Sequence, residues 1–426
     1  MLIGKKIRLI PTEEQEDLFR KSCGVARWAY NYYLGEKQRV YNEWKQDNSK
    51  PKNISAIEVQ KYINNELKPT THQWLKEVGS QTMKQGVLDA DKAYQRFFKK
   101  LSSYPKFKSK HKSKMSFYTN YSSCKRIDKF SFQCEKLGII KVNEEIPELK
   151  EFKIENGKKK KCHYSNSRIS YDGKYWYLSF SYNEEDLINY KEDNRVQLTT
   201  NSLGIDLGLK DLVIVSNQDN TYSKKFKNIN KSKEVKRLET KLKREQRKLS
   251  RKLLANIESY EEFSVVSSKD NKECKSRKPI YKRELKECKN IQKQNQKIRL
   301  IYKKLRDIRT NHIHQITSEI VKTKPFQIVM ENLKISNLIK NKHLSKSILD
   351  AKWYEIRRQI EYKCERLGIQ FISVDTFFPS SKLCSNCGNV KKDLKLKDRI
   401  YICPHCGLVI DRDINASINL SNYNLK

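Results

Sequence analysis

A chain of 426 residues is long enough for two or three hydrophobic cores, so it reads as several modules. Its 89 Lys and Arg against 50 Asp and Glu leave a net charge of +39, a surface that repels itself unless a polyanion neutralises it; nucleic acid is the natural counter-charge. A membrane partner is excluded by the lack of any apolar run near the ~18 residues of a span, and Met1-Leu-Ile-Gly-Lys-Lys has no signal-peptide core, so the chain is expected to be cytoplasmic.

The N-terminus opens with a strand, Lys6–Ile10, and Pro11-Thr12 starts a helix pattern through Leu18, Cys23, Ala26 and Tyr30, with Thr12 as its N-cap. From Ser55 to Leu101 the period is helical, with stripes of Val59, Ile63, Leu67 and of Val87, Ala90, Tyr94, Phe97. Lys106–Lys114 is a basic loop too charged to be buried. From Arg126 to Asn183 the period drops to two, with Asn156-Gly157 and Asp172-Gly173 as hairpin turns and Trp176, Leu178, Phe180, Tyr182 as one strand face. These strands, completed by the N-terminal one, make a small β-barrel or sheet. Glu184–Thr200 is polar and reads as a linker.

Beyond it, Leu203–Gly208 and Leu212–Val215 are apolar strands joined by a tight turn. A basic helix follows, with Val235, Leu238, Leu242, Leu249 and Leu253 on one face and eleven Lys or Arg against three Glu between Lys231 and Lys252. That charge is either a solvated helix face or the wall of a groove that tracks a phosphate backbone. Asn256–Asn290 is polar and irregular, a surface insertion. A helix Ile291–Val321, a strand Phe326–Met330 ending at Glu331, a helix Lys352–Leu367, a strand Gln370–Val374 and a last helix from Asp413 complete the order.

Cys384-Ser-Asn-Cys387 and Cys403-Pro-His-Cys406 have the spacing of a closed, structural Zn²⁺ ribbon, with His405 a spectator inside one knuckle. The other seven cysteines stand singly. The element order is that of an RNase H-like α/β core, whose site takes an Asp from the first strand, a Glu from a later strand end and an Asp from the closing helix: Asp206, Glu331 and Asp413. Hydrolysis of a phosphodiester needs an activated water and a stabilised leaving oxygen; two Mg²⁺ ions supply both, and carboxylates are the hard oxygen ligands that can hold them. Asp206 also fits a sugar-kinase-like ATPase, Glu331 can cap a helix, and Asp411 competes with Asp413, which is preferred because Ile414 and Ile418 fix it in the first turn.

Gly204-Ile-Asp206-Leu-Gly, Val329-Met-Glu331-Asn-Leu, Pro379-Ser-Ser-Lys-Leu-Cys-Ser-Asn-Cys-Gly and Asp411-Arg-Asp413-Ile-Asn-Ala together resemble the TnpB family, encoded by insertion sequences and similar to compact type V CRISPR effectors. In the N-terminal half, Ala93-Tyr-Gln-Arg-Phe-Phe-Lys-Lys and Tyr104-Pro-Lys-Phe-Lys-Ser-Lys look like the end of that family's helical lobe. The resemblance implies a multidomain α/β protein: a wedge-like β-barrel (1–10 and 115–195), a helical recognition lobe (11–114), and a RuvC nuclease domain (196–380 and 408–426) with an inserted zinc ribbon (381–407). It implies an RNA-guided DNA endonuclease that binds a guide RNA from the transposon end and double-stranded target DNA, checks a short adjacent motif, and cuts with a RuvC site of Asp206, Glu331 and Asp413. Motif reading would fall to Gln81, Lys84 and Gln85, since Gln can bond adenine edges bidentately. The 256–290 insertion departs from the family pattern. Three other readings compete: a protein-only RNase H-like transposase, a nuclease-inactive guided repressor, and a zinc-ribbon DNA-binding factor without catalysis.

Overall fold

The computed structural model describes residues 1–110, 113–119, 124–155, 158–190, 197–266, 273–285, 287–395 and 397–423. The chain is mixed α/β and divides into two compact units, Met1–Glu192 and Asp193–Lys426.

The first unit runs β1 (Leu2–Ile10), α1 (Glu13–Gln46), α2 (Ala56–Tyr62), α3 (Ser80–Phe98), β2 (Ser116–Tyr118), β3 (Lys125–Asp128), β4 (Ser131–Cys134), β5 (Gly138–Val142), β6 (Phe152–Glu155), β7 (Lys158–Lys161), β8 (Ser165–Tyr171) and β9 (Trp176–Asn183). The Thr12 side chain accepts from the Gln15 N–H while Gln15 bonds back to the Thr12 N–H, a capping box that holds the start of α1. The strands order as β2-β8-β9-β1-β5-β4-β3, so β1 is the central strand that joins the two ends of the sheet. Trp176, Leu178, Phe180 and Tyr182 are all buried and their alternating neighbours are not, as period two dictates. Val25, Ala29 and Tyr33 of α1 pack with Val59 of α2 and Val87, Ala90 and Tyr94 of α3 in a separate helical core.

Lys106–Lys110 is an unburied loop, as its charge implies, and only Lys108 within it is half-buried: its ammonium lies 3.5 Å from the centre of the Tyr30 ring and its backbone N–H bonds Asn31. The start of the presumed linker is structured, because Asp186 is buried and pairs with Lys153 at 3.0 Å. The Asp172-Gly173 turn forms, with Gly173 at φ 104°, whereas the Asn156-Gly157 turn lies outside the described residues.

The second unit runs β10 (Ser202–Leu207), β11 (Asp211–Asn217), β12 (Ser223–Lys227), α4 (Lys233–Ala255), β13 (Ile257–Val266), β14 (Glu273–Tyr281), α5 (Lys289–Lys322), β15 (Gln327–Glu331), α6 (Ile335–Leu338), α7 (Ser345–Ala351), α8 (Trp353–Leu367), β16 (Gln370–Val374), β17 (Ile400–Ile402), β18 (Val409–Asp411) and α9 (Arg412–Ser421). Its main sheet has the order β12-β11-β10-β15-β16, antiparallel among the first three strands and parallel from β10 to β15 to β16. Alternation splits each central strand between two faces. Leu203, Ile205, Ile328 and Met330 join Ile313, Ile316 and Ile320 of α5 and Ile356 and Ile360 of α8 in the large core. On the opposite face, Val329 packs with Val374 and with Leu420 of α9.

The segment 256–290 is not irregular: β13 and β14 form an antiparallel hairpin, with Glu262 and Arg277 paired at 2.8 Å. Its lack of a continuous apolar face hid the strands. In α4, Leu238 and Leu242 pack on Ile301, Leu305 and Ile308 of α5, as the apolar stripe predicts. Glu245 of α4 is buried and receives the Gln294 amide at 2.7 Å.

A candidate nuclease centre beside a thiolate knuckle

The three acids chosen from sequence come together on one face of the second sheet. β10 and β15 are parallel neighbours with Gly204 opposite Val329 and Ile205 opposite Met330, so Asp206 and Glu331 follow side by side at the carboxyl ends of the two strands. Open α/β sheets place their ligands there. Asp413 reaches the same point from the first turn of α9. Gly204 makes this possible: a Cβ on it would stand 1.9 Å from the Ser417 carbonyl and 2.4 Å from the Ser421 nitrogen, so only glycine lets α9 lie against the strand.

Charge crowding follows. Burial, then the neighbouring carboxylates of Glu331 and Asp413, push the Asp206 carboxyl well above its ordinary range, and Arg412 partly offsets them. Burial also raises Glu331, against a hydrogen bond donated by the Ser380 hydroxyl. Asp413 is held by the Arg412 guanidinium at 3.2 Å and lies 3.8 Å from Arg399. A carboxyl whose ionisation is opposed by neighbouring carboxylates in this way is a ready sink for a cation, and the donor set is all hard oxygen, which suits Mg²⁺.

Asp411 has another task. Its side chain accepts from the N–H groups of Asp413 and Ile414, capping α9, and it pairs with Lys225 at 2.6 Å. Burial opposes its ionisation, but the Lys225 and backbone bonds outweigh burial and hold the carboxyl below its ordinary value.

The four clustered cysteines converge as the spacing requires. Their sulfurs all lie within 4.8 Å of one another, and the pairs Cys384–Cys406 and Cys387–Cys403 stand at 3.6 Å. A tetrahedron of ~2.3 Å Zn–S bonds has edges of about 3.8 Å, so the sulfurs fit a closed zinc shell. Each loop repeats one geometry: Gly388 donates to the Cys384 carbonyl and Gly407 to that of Cys403, both glycines at positive φ near 75°. The backbone N–H of Cys406, working against burial and joined by that of His405, holds the Cys403 thiol down at about 6. His405 contributes that N–H while its side chain stays exposed.

Sequence reasoning missed Ser380, Arg399, Arg412 and Lys225. Ser380 and Arg412 lie inside the quoted motifs, whereas Lys225 is one of two adjacent lysines on β12 with no local signal. The proposed motif readers Gln81, Lys84 and Gln85 sit half-buried in the first two turns of α3. Gln85 is engaged within its own helix, donating to Asp89 at 2.9 Å, and the Lys84 carbonyl accepts from Gln60.

Three family models match parts of the chain: a Cas12f1-like TNB domain over residues 353–420, a probable transposase over 183–262, and a helix-turn-helix domain over 1–46, a stretch that here folds as β1 and the single helix α1. The chain is 27% identical over 417 residues, 97% of its own length and 87% of the relative's, to a Streptomyces pristinaespiralis protein named "Putative RNA-guided DNA endonuclease". It is 25% identical over 431 residues, 97% of itself and 90% of the relative, to an Escherichia coli K12 protein of the same name, InsQ. A TnpB-like protein, L79 of Acanthamoeba polyphaga mimivirus, is 26% identical over 129 residues, 30% of this chain and 24% of that one. Near full-length relatives and family models in both units support placing the chain with the TnpB family.

Proposed function

We propose that the chain is a metal-dependent, RNA-guided DNA endonuclease of an insertion sequence, whose residues 196–380 and 408–426 form an RNase H-like RuvC domain with the ribbon 381–407 inserted. The observation that carries this reading is the crowding of Asp206, Glu331 and Asp413 at the ends of β10 and β15. The strand order of the second sheet, antiparallel then parallel, supports the RNase H-like assignment. Near full-length similarity to proteins named as RNA-guided DNA endonucleases supports the guided activity.

Asp206, Glu331 and Asp413 would hold two Mg²⁺ ions, which when bound stabilise charge on the attacking and leaving oxygens of the phosphodiester. The chain's own groups do the rest. The carboxylates would fix where the ions sit, and Arg412 and Arg399 brace Asp413 beside them. The exposed Lys and Arg of α4 track a phosphate backbone, so binding should weaken steeply with salt. The four thiolates would hold one structural Zn²⁺ and take no part in chemistry. In the first unit, the strands form the wedge and α1 to α3 the recognition lobe, with Gln81, Lys84 and Gln85 as readers of the target-adjacent motif. The guide RNA comes from the transposon end and pairs with the target strand.

The test is to express the protein with its flanking locus and sequence the RNA that co-purifies. One dominant structured RNA with a variable 3′ end, together with Mg²⁺-dependent cleavage of a matched plasmid, is the expected result. Random RNA removable by salt overturns the guided reading in favour of a protein-only transposase; a guide without cleavage leaves a nuclease-inactive repressor.

A further inference from the structure

The helix that carries Asp413 also carries two buried asparagines four residues apart, Asn415 at 0% exposure and Asn419 at 4%. Asparagine is a poor helix-interior residue, so a buried pair on one helix face calls for tertiary partners. Both look onto the start of the ribbon. The Asn415 amide donates to the Leu383 carbonyl at 2.7 Å while its oxygen accepts from the Ser385 N–H at 3.0 Å, so one side chain brackets the thiolate residue Cys384 from both sides. Asn419 donates to the carbonyls of Ser380, at 2.8 Å, and Leu383, at 2.6 Å. The buried Ser380 in turn gives its hydroxyl to Glu331 Oε1.

Resting on the reading of the acids as the nuclease centre, we infer that Ser380 is a positioning residue for Glu331, and that the thiolate ribbon sets its place through Asn415 and Asn419 of α9. The chain of contacts is continuous: Cys384 is fixed by the cluster, its flanking backbone by the two asparagines, Ser380 by Asn419, and Glu331 by Ser380. Because the same helix carries Asp413 in its first turn, two of the three acids are oriented by elements that meet at the first knuckle. Zinc loading and the geometry of the acidic site are therefore one coupled event, although the thiolates touch no substrate.

The test uses the zinc-loaded, full-length protein and Mn²⁺ as a spectroscopic probe of the acidic site, read by electron paramagnetic resonance, with the Mg²⁺ needed for half-maximal cleavage as a second readout. Ser380→Ala should weaken Mn²⁺ binding about tenfold and raise the Mg²⁺ half-saturation similarly, while the rate at saturating Mg²⁺ stays within about threefold. Zinc content and melting temperature should stay at wild-type values, and Ser380→Thr, which keeps the hydroxyl, should restore both metal readouts. Asn419→Ser should shift the metal readouts in the same direction with zinc retained, and it carries the test if Ser380→Ala does not fold. Wild-type Mn²⁺ affinity in Ser380→Ala overturns the role of Ser380; wild-type affinity in Asn419→Ser overturns the link to the ribbon. A wild-type protein that binds Mn²⁺ no better than Asp206→Asn would instead sink the nuclease-centre reading itself.

Discussion

The thiolate knuckle and the acidic centre stand a few residues apart on the same side of the second unit, yet they are assembled in opposite ways. The knuckle draws its four ligands from one short stretch, Cys384 to Cys406, and two glycine-closed loops place them, with Asn415 and Asn419 of α9 the outside groups that hold the backbone beside Cys384. The acids come from positions 206, 331 and 413, and only the parallel pairing of β10 with β15 and the close approach of α9 bring them together. Local assembly tolerates change elsewhere; non-local assembly concentrates risk at the few residues that allow the approach.

The largest effect should come from the acidic centre. Asp206→Asn should lower cleavage by about a thousandfold or more while RNA and DNA binding persist by filter binding, because the change removes an oxygen proposed to hold the metal and keeps a side-chain carbonyl that can still accept from the Leu207 N–H. Loss of binding together with cleavage would make the acid structural. Cys384→Ser should leave well under one zinc per chain by metal analysis and lower the melting temperature by roughly 5 °C or more. Through Asn415 and Asn419 it should also depress cleavage, so a zinc-free variant cutting at the wild-type rate would show the two regions to be independent.

Gly204→Ala sharpens the contrast from the other side. The added Cβ must displace α9 from the strand, costing about 3 kcal/mol or more, and melting of the purified variant reads this directly. Wild-type stability would mean that α9 does not need the close approach. The smallest effect should belong to Asp411→Asn, since asparagine caps a helix as well as aspartate and the Lys225 pair is partly exposed. Cleavage should stay within about twofold; a loss comparable to Asp206→Asn would give Asp411 the role assigned to Asp413. Because the folded Asp411 carboxyl is held below its ordinary value, its contribution is full at neutral pH and lost as the pH falls below that value, so the variant's stability should depend less on acid.

Much of this was legible in the chain. Cysteine spacing fixed the knuckle, period two marked β9, period 3.6 marked α4, and Thr12 announced α1, because each signal depends on neighbours within a few residues. The strand-end acids were legible as candidates, since apolar runs ending in Asp206 and Glu331 mark β10 and β15. Their meeting with Asp413 was expected from the element order, whereas the contacts that allow it, Gly204 against α9 above all, were not legible. The hairpin β13–β14 escaped because its strands are mostly exposed and polar with no buried face, and the seat of Lys108 escaped because its partner Tyr30 lies far back in the sequence.

Sequence by itself determined the ligand types, the knuckle and the order of strands and helices outside the 256–290 segment, for these follow from local spacing and burial pattern. Only the tertiary structure decided that Asp411 caps a helix while Asp413 faces Asp206, that Ser380 holds Glu331, and that two asparagines join the ribbon to the acids. Those choices depend on which way a helix face turns when Gly204 lets it settle on the sheet, and no local pattern encodes that rotation.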